Sequence, residues 1–103
     1  MESSPYWTKP ATKRLRDAFL YIAVNYYMDY AVAFRNDVLN TAAEIPAMPQ
    51  IGVEAFPTLC RPRYRKILCR NRNWWIYYRI EKDRIEILSV RNCLMRIDTL
   101  RQL

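Results

Sequence analysis

Residues 73–90 read Asn-Trp-Trp-Ile-Tyr-Tyr-Arg-Ile-Glu-Lys-Asp-Arg-Ile-Glu-Ile-Leu-Ser-Val. The acidic turn Glu-Lys-Asp divides this stretch into two predicted strands, Trp74 to Ile80 and Arg84 to Arg91. A third strand is predicted just upstream, from about Tyr64 to Arg70, and it ends in an Asn-rich turn. Connections this short leave no room for crossover helices, so the three strands should pair as an antiparallel meander.

The middle strand has two different faces, because successive side chains of a strand point in opposite directions. The more apolar face, which we expect to pack on helices, carries Trp74, Ile76, Tyr78 and Ile80. The other carries Trp75, Tyr77 and Arg79, which are either interface anchors or residues buried beneath the chain terminus. In the last strand, Ile85 and Ile87 are expected on one face of the sheet, and Leu88 and Val90 on the other face. That strand is therefore either central and buried on both sides or interrupted by a bulge.

Two helices are predicted before the meander. Residues 10–27 repeat apolar side chains on one face at Leu15, Phe19, Ile22 and Tyr26, and residues 30–45 do so at Ala31, Phe34, Val38, Ala42 and Ile45. The short connection between them favours an antiparallel helical hairpin. Thr8 is the expected N-cap of the first helix, with Pro10 in its first turn, and Asp29 is the expected N-cap of the second.

The other segments complete one α+β domain over residues 1–103, a helical hairpin packed on one face of a small antiparallel sheet. Residues 4–9 are predicted as a short first strand, and Pro5 places it near a sheet edge or at a strand start. Residues 46–62 hold four prolines and the single glycine, so we expect a loop without helix or strand. Residues 92–103 form a short C-terminal tail.

The composition excludes most classes of enzyme. The chain has no histidine, one glycine and three cysteines, none in a CxxC spacing, so zinc sites, histidine acid–base chemistry and glycine-rich phosphate loops are not expected. We predict neither a metal nor a cofactor. No apolar run reaches the roughly 20 residues of a membrane helix, and the N-terminus is unlike a secretory signal. We therefore expect a cytoplasmic protein that makes no membrane contact.

Positive charge is concentrated in the second half of the chain. Residues 1–60 carry five basic and six acidic side chains, whereas residues 61–103 carry twelve basic and four acidic ones, within a net charge of +7. The candidate contacts for a target or for phosphate are Arg61, Arg63, Tyr64, Arg65, Lys66, Arg91 and Arg96. The cluster at residues 61–66 is alternatively a solvated strand edge, where cations discourage aggregation. A basic sheet favours an anionic partner, either nucleic acid or an acidic protein segment.

This order of elements resembles the RelE/ParE superfamily, the toxin components of bacterial type II toxin–antitoxin modules, which include plasmid stabilisation proteins. The resemblance covers nearly the whole chain and is most specific over residues 73–90, which are similar to the hairpin of that family. The other matching positions are Ala11, Leu15, Ile22, Tyr26, Ala31, Phe34, Pro46, Pro49 and Gly52.

The resemblance implies a small basic toxin that a cognate acidic antitoxin neutralises by wrapping an amphipathic segment around it. We expect the antitoxin to contact Trp75, Tyr77, Arg79, Leu94 and Ile97. The resemblance also implies a target that depends on the branch. ParE-like members inhibit DNA gyrase, whereas RelE-like members cut mRNA in the ribosomal A site.

The nuclease branch would require a general base, a general acid and cations around the phosphate. Here the tail has no aromatic residue, and Tyr64 is the candidate base with Arg91 and Arg96 as candidate phosphate clamps. This is no convincing catalytic set, so enzymatic activity stays open. Arg96 and Asp98 echo the ParE-like ending. We therefore favour a toxin that inhibits gyrase, with a ribosome-dependent endonuclease or a non-toxic nucleic-acid- or partner-binding module as alternatives.

Overall fold

The computed structural model describes residues 4–56, 59 and 63–93. Its elements are β1 (Tyr6–Trp7), α1 (Lys9–Asn25), α2 (Met28–Glu44), a 3-10 turn (Ile45–Ala47), β2 (Val53–Glu54), β3 (Tyr64–Leu68), β4 (Trp74–Ile80) and β5 (Ile85–Asn92). The helices pack on one face of a five-stranded sheet with strand order β1-β5-β4-β3-β2. The predicted α+β architecture is therefore confirmed, while the tail beyond Cys93 lies outside the described residues.

The sheet is mixed, whereas an antiparallel sheet was expected. The meander β3-β4-β5 is antiparallel as predicted, but β1 pairs in parallel with β5, with Tyr6 opposite Glu86. A long stretch of chain that includes both helices separates β1 from β5. Parallel pairing of two strands requires a long connection of this kind. β1 lies at the sheet edge, as Pro5 indicated.

The prediction of a loop without helix or strand at residues 46–62 is wrong in two places. A 3-10 turn spans Ile45–Ala47, and the two-residue β2 pairs with β3, with Val53 opposite Lys66. The prolines do not prevent this pairing, since both residues of β2 retain the backbone N–H that proline lacks.

The last strand contains a bulge and is also central. Tyr77 pairs with Ser89, but Tyr78 pairs with Ile87, so Leu88 is an extra residue in β5. The extra residue resets the alternation, and Val90 consequently faces the helices together with Ile87. Both interpretations that the sequence left open for this strand therefore hold.

Of the two N-cap residues predicted from the sequence, the structure confirms the one for α1 and not the one for α2. The Thr8 hydroxyl accepts a hydrogen bond from the N–H of Ala11 at 3.3 Å, so Thr8 caps α1 as predicted. The predicted cap of α2 is wrong: Tyr27 occupies that position and Asp29 lies in the first turn. There its carboxylate still interacts favourably with the helix dipole. Tyr26, expected on the core face, is 59% exposed because α1 ends one residue before it.

The hydrophobic core lies between the helical hairpin and the inner face of the sheet. Its buried side chains are Ala11, Phe34, Val38, Ala42, Ile45, Cys69, Ile76, Tyr78, Ile85, Ile87 and Val90. Leu15, Phe19, Ile22, Trp74 and Ile80 pack against this cluster, as their spacing predicted. The core holds the sheet rigidly, so that its outer face is presented on a fixed scaffold.

Candidate interaction face of the sheet

Side chains that alternate with the core residues form the other surface of the sheet, here called the outer face. Cross-strand pairing joins Tyr64 to Arg79, Lys66 to Tyr77 and Leu68 to Trp75, and on β5 it joins Arg79 to Glu86. Residues that pair directly share one face of a sheet. The outer face includes Tyr6, Val53, Tyr64, Lys66, Leu68, Trp75, Tyr77, Arg79, Arg84, Glu86, Ser89 and Arg91.

A buried carboxylate organises the cations at one end of the outer face. One oxygen of Glu86 accepts a hydrogen bond from Arg79, and the other accepts two from Arg84, at 3.0 Å from Nε and 2.6 Å from Nη2. The Glu86 side chain is only 8% exposed. These hydrogen bonds lower the pKa of Glu86, and the bond from Arg79 has the largest effect. The Glu86 carboxylate in turn raises the pKa of Arg84.

Tyr64 belongs to the same cluster through a hydrogen bond with Arg79. Arg79 donates a hydrogen bond to its hydroxyl at 3.3 Å, and this bond, followed by charge interaction with Arg79 and contact with Arg63, lowers the pKa of Tyr64. Arg79 also forms an ion pair with Glu81 at 2.7 Å, and Arg63 approaches Glu81 at 3.9 Å. Arg79 and Arg63, the two cations described beside Tyr64, therefore each have an intramolecular carboxylate nearby.

The middle of the outer face is aromatic. The ammonium group of Lys66 lies 4.6 Å from the ring centre of Trp75, a cation–π contact. Tyr77 is 5% exposed and stacks on Phe56 with ring centres 6.3 Å apart. Tyr77 is thus buried, which is one of the two interpretations left open for this face, and its contact with the antitoxin stays a prediction. Burial raises the pKa of its hydroxyl. Trp75 is partly exposed.

Arg91 is the most deeply buried charged residue of this face, with 1% of its surface exposed. Its Nε donates a hydrogen bond to the Ser89 hydroxyl at 3.1 Å. Burial lowers the pKa of Arg91, because a charged guanidinium is costly to remove from water. Its assignment as a phosphate clamp stays a prediction, and a phosphate could reach it only if the surrounding groups moved.

The basic cluster predicted at residues 61–66 is divided by the sheet. Lys66 and Tyr64 lie on the outer face, but Arg65 pairs with Tyr78 and belongs to the inner face. Its Nε donates to the Gly52 carbonyl oxygen at 3.1 Å, which is a structural contact. Among the predicted contact residues, Arg61, Leu94, Arg96 and Ile97 lie outside the described residues.

Sequence reasoning missed Glu86, the carboxylate that organises the cations at one end of this face. Glu86 stands two residues after Arg84, and this spacing places both side chains on the same face of one strand. That signal was available, but the pairing with Arg79 depends on the cross-strand register. Tyr6 was also missed: the Arg84 guanidinium lies 4.3 Å from its ring centre, which requires the parallel pairing of β1.

The outer face combines charged and aromatic side chains on one surface. Within residues 4–56, 59 and 63–93, no group of three or more Cys, Asp and Glu side chains is placed to hold a metal ion. Neither described helix has the length and apolar character needed to cross a membrane. The face combines a cationic rim, internally balanced by Glu81 and Glu86, with an aromatic centre. Such a surface can recognise an acidic, amphipathic protein segment.

The sequence matches a protein-family model, and the fold matches a solved structure. The family model described as "ParE toxin of type II toxin-antitoxin system, parDE" matches residues 6–96, which is most of the chain. A solved structure of a chromosomal ParDE toxin–antitoxin system from P. aeruginosa has a similar fold, with a TM-score of 0.72 and 17% sequence identity. That alignment covers 86% of this chain and 94% of the other. A sequence comparison with curated proteins finds no match.

Proposed function

The chain belongs to the ParE toxin family of type II toxin–antitoxin systems, and we propose that it arrests growth by inhibiting DNA gyrase through protein–protein contact. Family membership implies an antitoxin partner. We further propose that this antitoxin is acidic, that it binds the outer face, and that both proteins meet in the cytoplasm, where gyrase acts.

The observation that carries the gyrase proposal is the internal neutralisation of the cations at the Glu86 end of the outer face, Arg79 and Arg84. Arg79 and Arg84 share the carboxylate of Glu86, and Arg79 also pairs with Glu81. Cleavage of RNA needs cations that are free to stabilise the charge developing on phosphate. Cations already bound to carboxylates serve that purpose poorly, whereas they fit a surface that recognises a folded protein.

The antitoxin proposal rests on the aromatic centre of the same face. Lys66 and Trp75 form a partly exposed cation–π pair next to the buried Tyr77. An amphipathic segment could place apolar side chains on Trp75 and carboxylates beside Lys66. Aromatic side chains in such positions are common hot spots of protein interfaces.

A supercoiling assay with purified gyrase and the full-length chain tests the proposed target. We expect the chain to inhibit supercoiling, the purified antitoxin to restore it, and induced cells to filament with an SOS response and intact mRNA. Normal supercoiling together with mRNA cut in a translating extract would overturn the gyrase proposal and favour the nuclease. Unaffected growth would indicate a non-toxic binding module.

One observation favours the nuclease as a second candidate. Hydrogen bonding by Arg79 lowers the pKa of Tyr64, so a larger fraction of this tyrosine is ionised near neutral pH and able to accept a proton as general base. If the chain cuts RNA, replacing Tyr64 with Phe should reduce cleavage by at least about a hundredfold. Tyr21→Phe, which removes an exposed hydroxyl on α1, is the matched control. Equal cleavage by Tyr64→Phe and the parent chain would exclude Tyr64 as the base.

A further inference from the structure

The turn between β3 and β4 holds an arginine in a left-handed backbone conformation. Arg72 has a φ of 63°, and it is the only residue with a positive φ among residues 4–56, 59 and 63–93. This region is unfavourable for most side chains, and glycine and asparagine occupy it more readily than arginine does. Asn71 and Asn73 flank Arg72, yet the arginine occupies the strained position.

The surrounding structure fixes the backbone of this turn. The N–H of Arg72 donates a hydrogen bond to the carbonyl oxygen of Cys69 at 2.9 Å, and the thiol of Cys93 donates one to the carbonyl oxygen of Arg72 at 3.6 Å. The Asp37 carboxylate on α2 accepts hydrogen bonds from two further backbone N–H groups of the turn. None of these bonds involves the guanidinium group of Arg72, so the turn is built without using that side chain.

The side chain of Arg72 is an exposed cation. Within the described part of the chain it forms no ion pair, whereas Arg70, two residues earlier, pairs with Glu44 at 2.7 Å. The cations that surround Glu86 on the outer face are also paired with carboxylates. Strained backbone conformations that persist in rigid surroundings are concentrated at functional sites. A charge presented from a fixed backbone also loses less conformational entropy when it binds a partner.

The charges around the turn favour a protein partner over a nucleic acid. The carboxylates of Asp37 and Glu44 lie at the same turn, where they bind the backbone and the side chain of Arg70, and the Glu44 side chain is 49% exposed. A nucleic-acid strand carries one negative charge about every 3.4 Å, so phosphates next to the one at Arg72 would approach these carboxylates. A protein surface can instead place a single carboxylate opposite Arg72, which a guanidinium binds through paired hydrogen bonds.

We propose that Arg72 binds a carboxylate on the surface of the target protein and is a determinant of target inhibition. This contact rests on the proposed inhibition of gyrase, and it assigns to that function a residue at the tip of the β3–β4 hairpin. It is separate from Lys66 and Trp75, where we propose that the antitoxin binds.

Arg72→Gly tests this contact, because it removes the guanidinium and relieves the backbone strain in one change. We expect the midpoint of thermal unfolding to rise by about 2–5 °C. The concentration of full-length chain that half-inhibits gyrase supercoiling should rise at least about tenfold. A purely structural role of Arg72 predicts the opposite pattern, a lower midpoint with inhibition retained by the folded chain. Arg72→Lys keeps a cation at the same position and should recover part of the inhibition.

Lys82→Gly is the matched control. Lys82 is an exposed cation in the β4–β5 turn, and its φ is not positive. The substitution removes the same charge without relieving strain, and a new glycine adds conformational entropy to the unfolded chain. Lys82→Gly should therefore inhibit gyrase like the parent chain and unfold at a slightly lower temperature.

The supercoiling assay separates failure of the contact from failure of the proposed function. Inhibition by Arg72→Gly equal to that of an inhibitory parent chain overturns the contact alone, as does an equal loss in Arg72→Gly and Lys82→Gly. A lower midpoint in Arg72→Gly also overturns it, because the turn would then depend on the arginine. A parent chain that leaves supercoiling intact overturns the proposed function and this contact together. If that parent cuts mRNA and Arg72→Gly cuts it less, the partner of Arg72 is phosphate and not a protein carboxylate.

Discussion

The hydroxyl of Tyr78 accepts a hydrogen bond from the backbone N–H of Gly52 at 2.9 Å and donates one to the carbonyl oxygen of Pro49 at 2.8 Å. A single buried side chain on β4 thus holds the loop before β2. We predict that Tyr78→Phe lowers the free energy of unfolding by about 1–3 kcal/mol, because it leaves the buried N–H of Gly52 without its acceptor. Urea denaturation measures this loss.

Tyr21→Phe is the control for that substitution, since it removes a hydroxyl from an exposed position on α1. Its effect on the free energy of unfolding should stay within about 0.5 kcal/mol. Equal effects of the two substitutions would show that the loss of the Gly52 bond does not determine stability here.

Gly52 itself should tolerate no larger residue. A Cβ atom at this position would lie 2.5 Å from the carbonyl oxygen of Lys66 and 2.7 Å from the Tyr78 hydroxyl. We predict that Gly52→Ala costs about 1–3 kcal/mol of unfolding free energy, as overpacking does elsewhere. Gln50→Ala in the same loop, at an exposed position, should have little effect. If Gly52→Ala were as stable as the parent chain, the loop would not be fixed against β3 as described.

The ion cluster at Glu86 should make stability depend on pH. Because Arg79 and Arg84 lower the pKa of Glu86 in the folded state, its contribution is complete above the usual carboxyl range. The contribution is lost as the pH falls through the lowered pKa. At pH 7 we expect Glu86→Gln to lower the free energy of unfolding by about 1–2 kcal/mol, the partial exposure of the arginines limiting the effect.

Denaturation with urea between pH 7 and pH 3 measures this dependence. The curves of Glu86→Gln and the parent chain should approach each other toward the acid end, because protonation of the carboxyl progressively removes the ionic contribution to stability. Asp83→Asn in the exposed turn before β5 is the control and should follow the parent curve. A constant difference between Glu86→Gln and the parent at all pH values would contradict ionic stabilisation.

Lys66 and Arg65 are neighbours in the sequence, but we predict that their substitutions act differently. Lys66→Glu should slow association with the antitoxin that we propose to be acidic, and reduce its salt dependence, because Lys66 lies on the outer face where we propose that the antitoxin binds. Lys82→Glu makes the same change of charge in the exposed β4–β5 turn and is its matched control.

Arg65→Ala should instead lower the free energy of unfolding, since Arg65 bonds to Gly52 on the inner face. Stopped-flow binding and urea denaturation separate the two effects.

Much of the architecture could be predicted because it depends on local periodicity. The apolar spacing of Phe34 and Val38 identified the buried face of α2, and the alternation of Ile76 and Tyr78 identified the inner face of β4. The parallel pairing of β1 could not be predicted, since two residues carry almost no pattern and their partner strand lies about 80 residues away.

The outer face was predicted only in part, because its chemistry depends on register. The sequence placed Trp75, Tyr77 and Arg79 together, and the structure does so as well. It did not indicate that Phe56 covers Tyr77, which depends on how the long loop packs. Nor did it indicate that Arg79 pairs with Glu86, a contact set by the pairing of β4 and β5.

Asp37 joins the helical hairpin to the turn between β3 and β4. Its carboxylate on α2 accepts hydrogen bonds from the backbone N–H groups of Arg70 at 3.2 Å and Asn71 at 3.1 Å. We predict that Asp37→Ala lowers the free energy of unfolding by about 2 kcal/mol, because two backbone donors lose a charged acceptor. Asp37→Asn should cost less, since its carbonyl oxygen can still accept one of the bonds. Asn40→Ala at an exposed position of α2 is the control, and an effect of Asp37→Ala no larger than that of the control would mean the turn is held without this carboxylate.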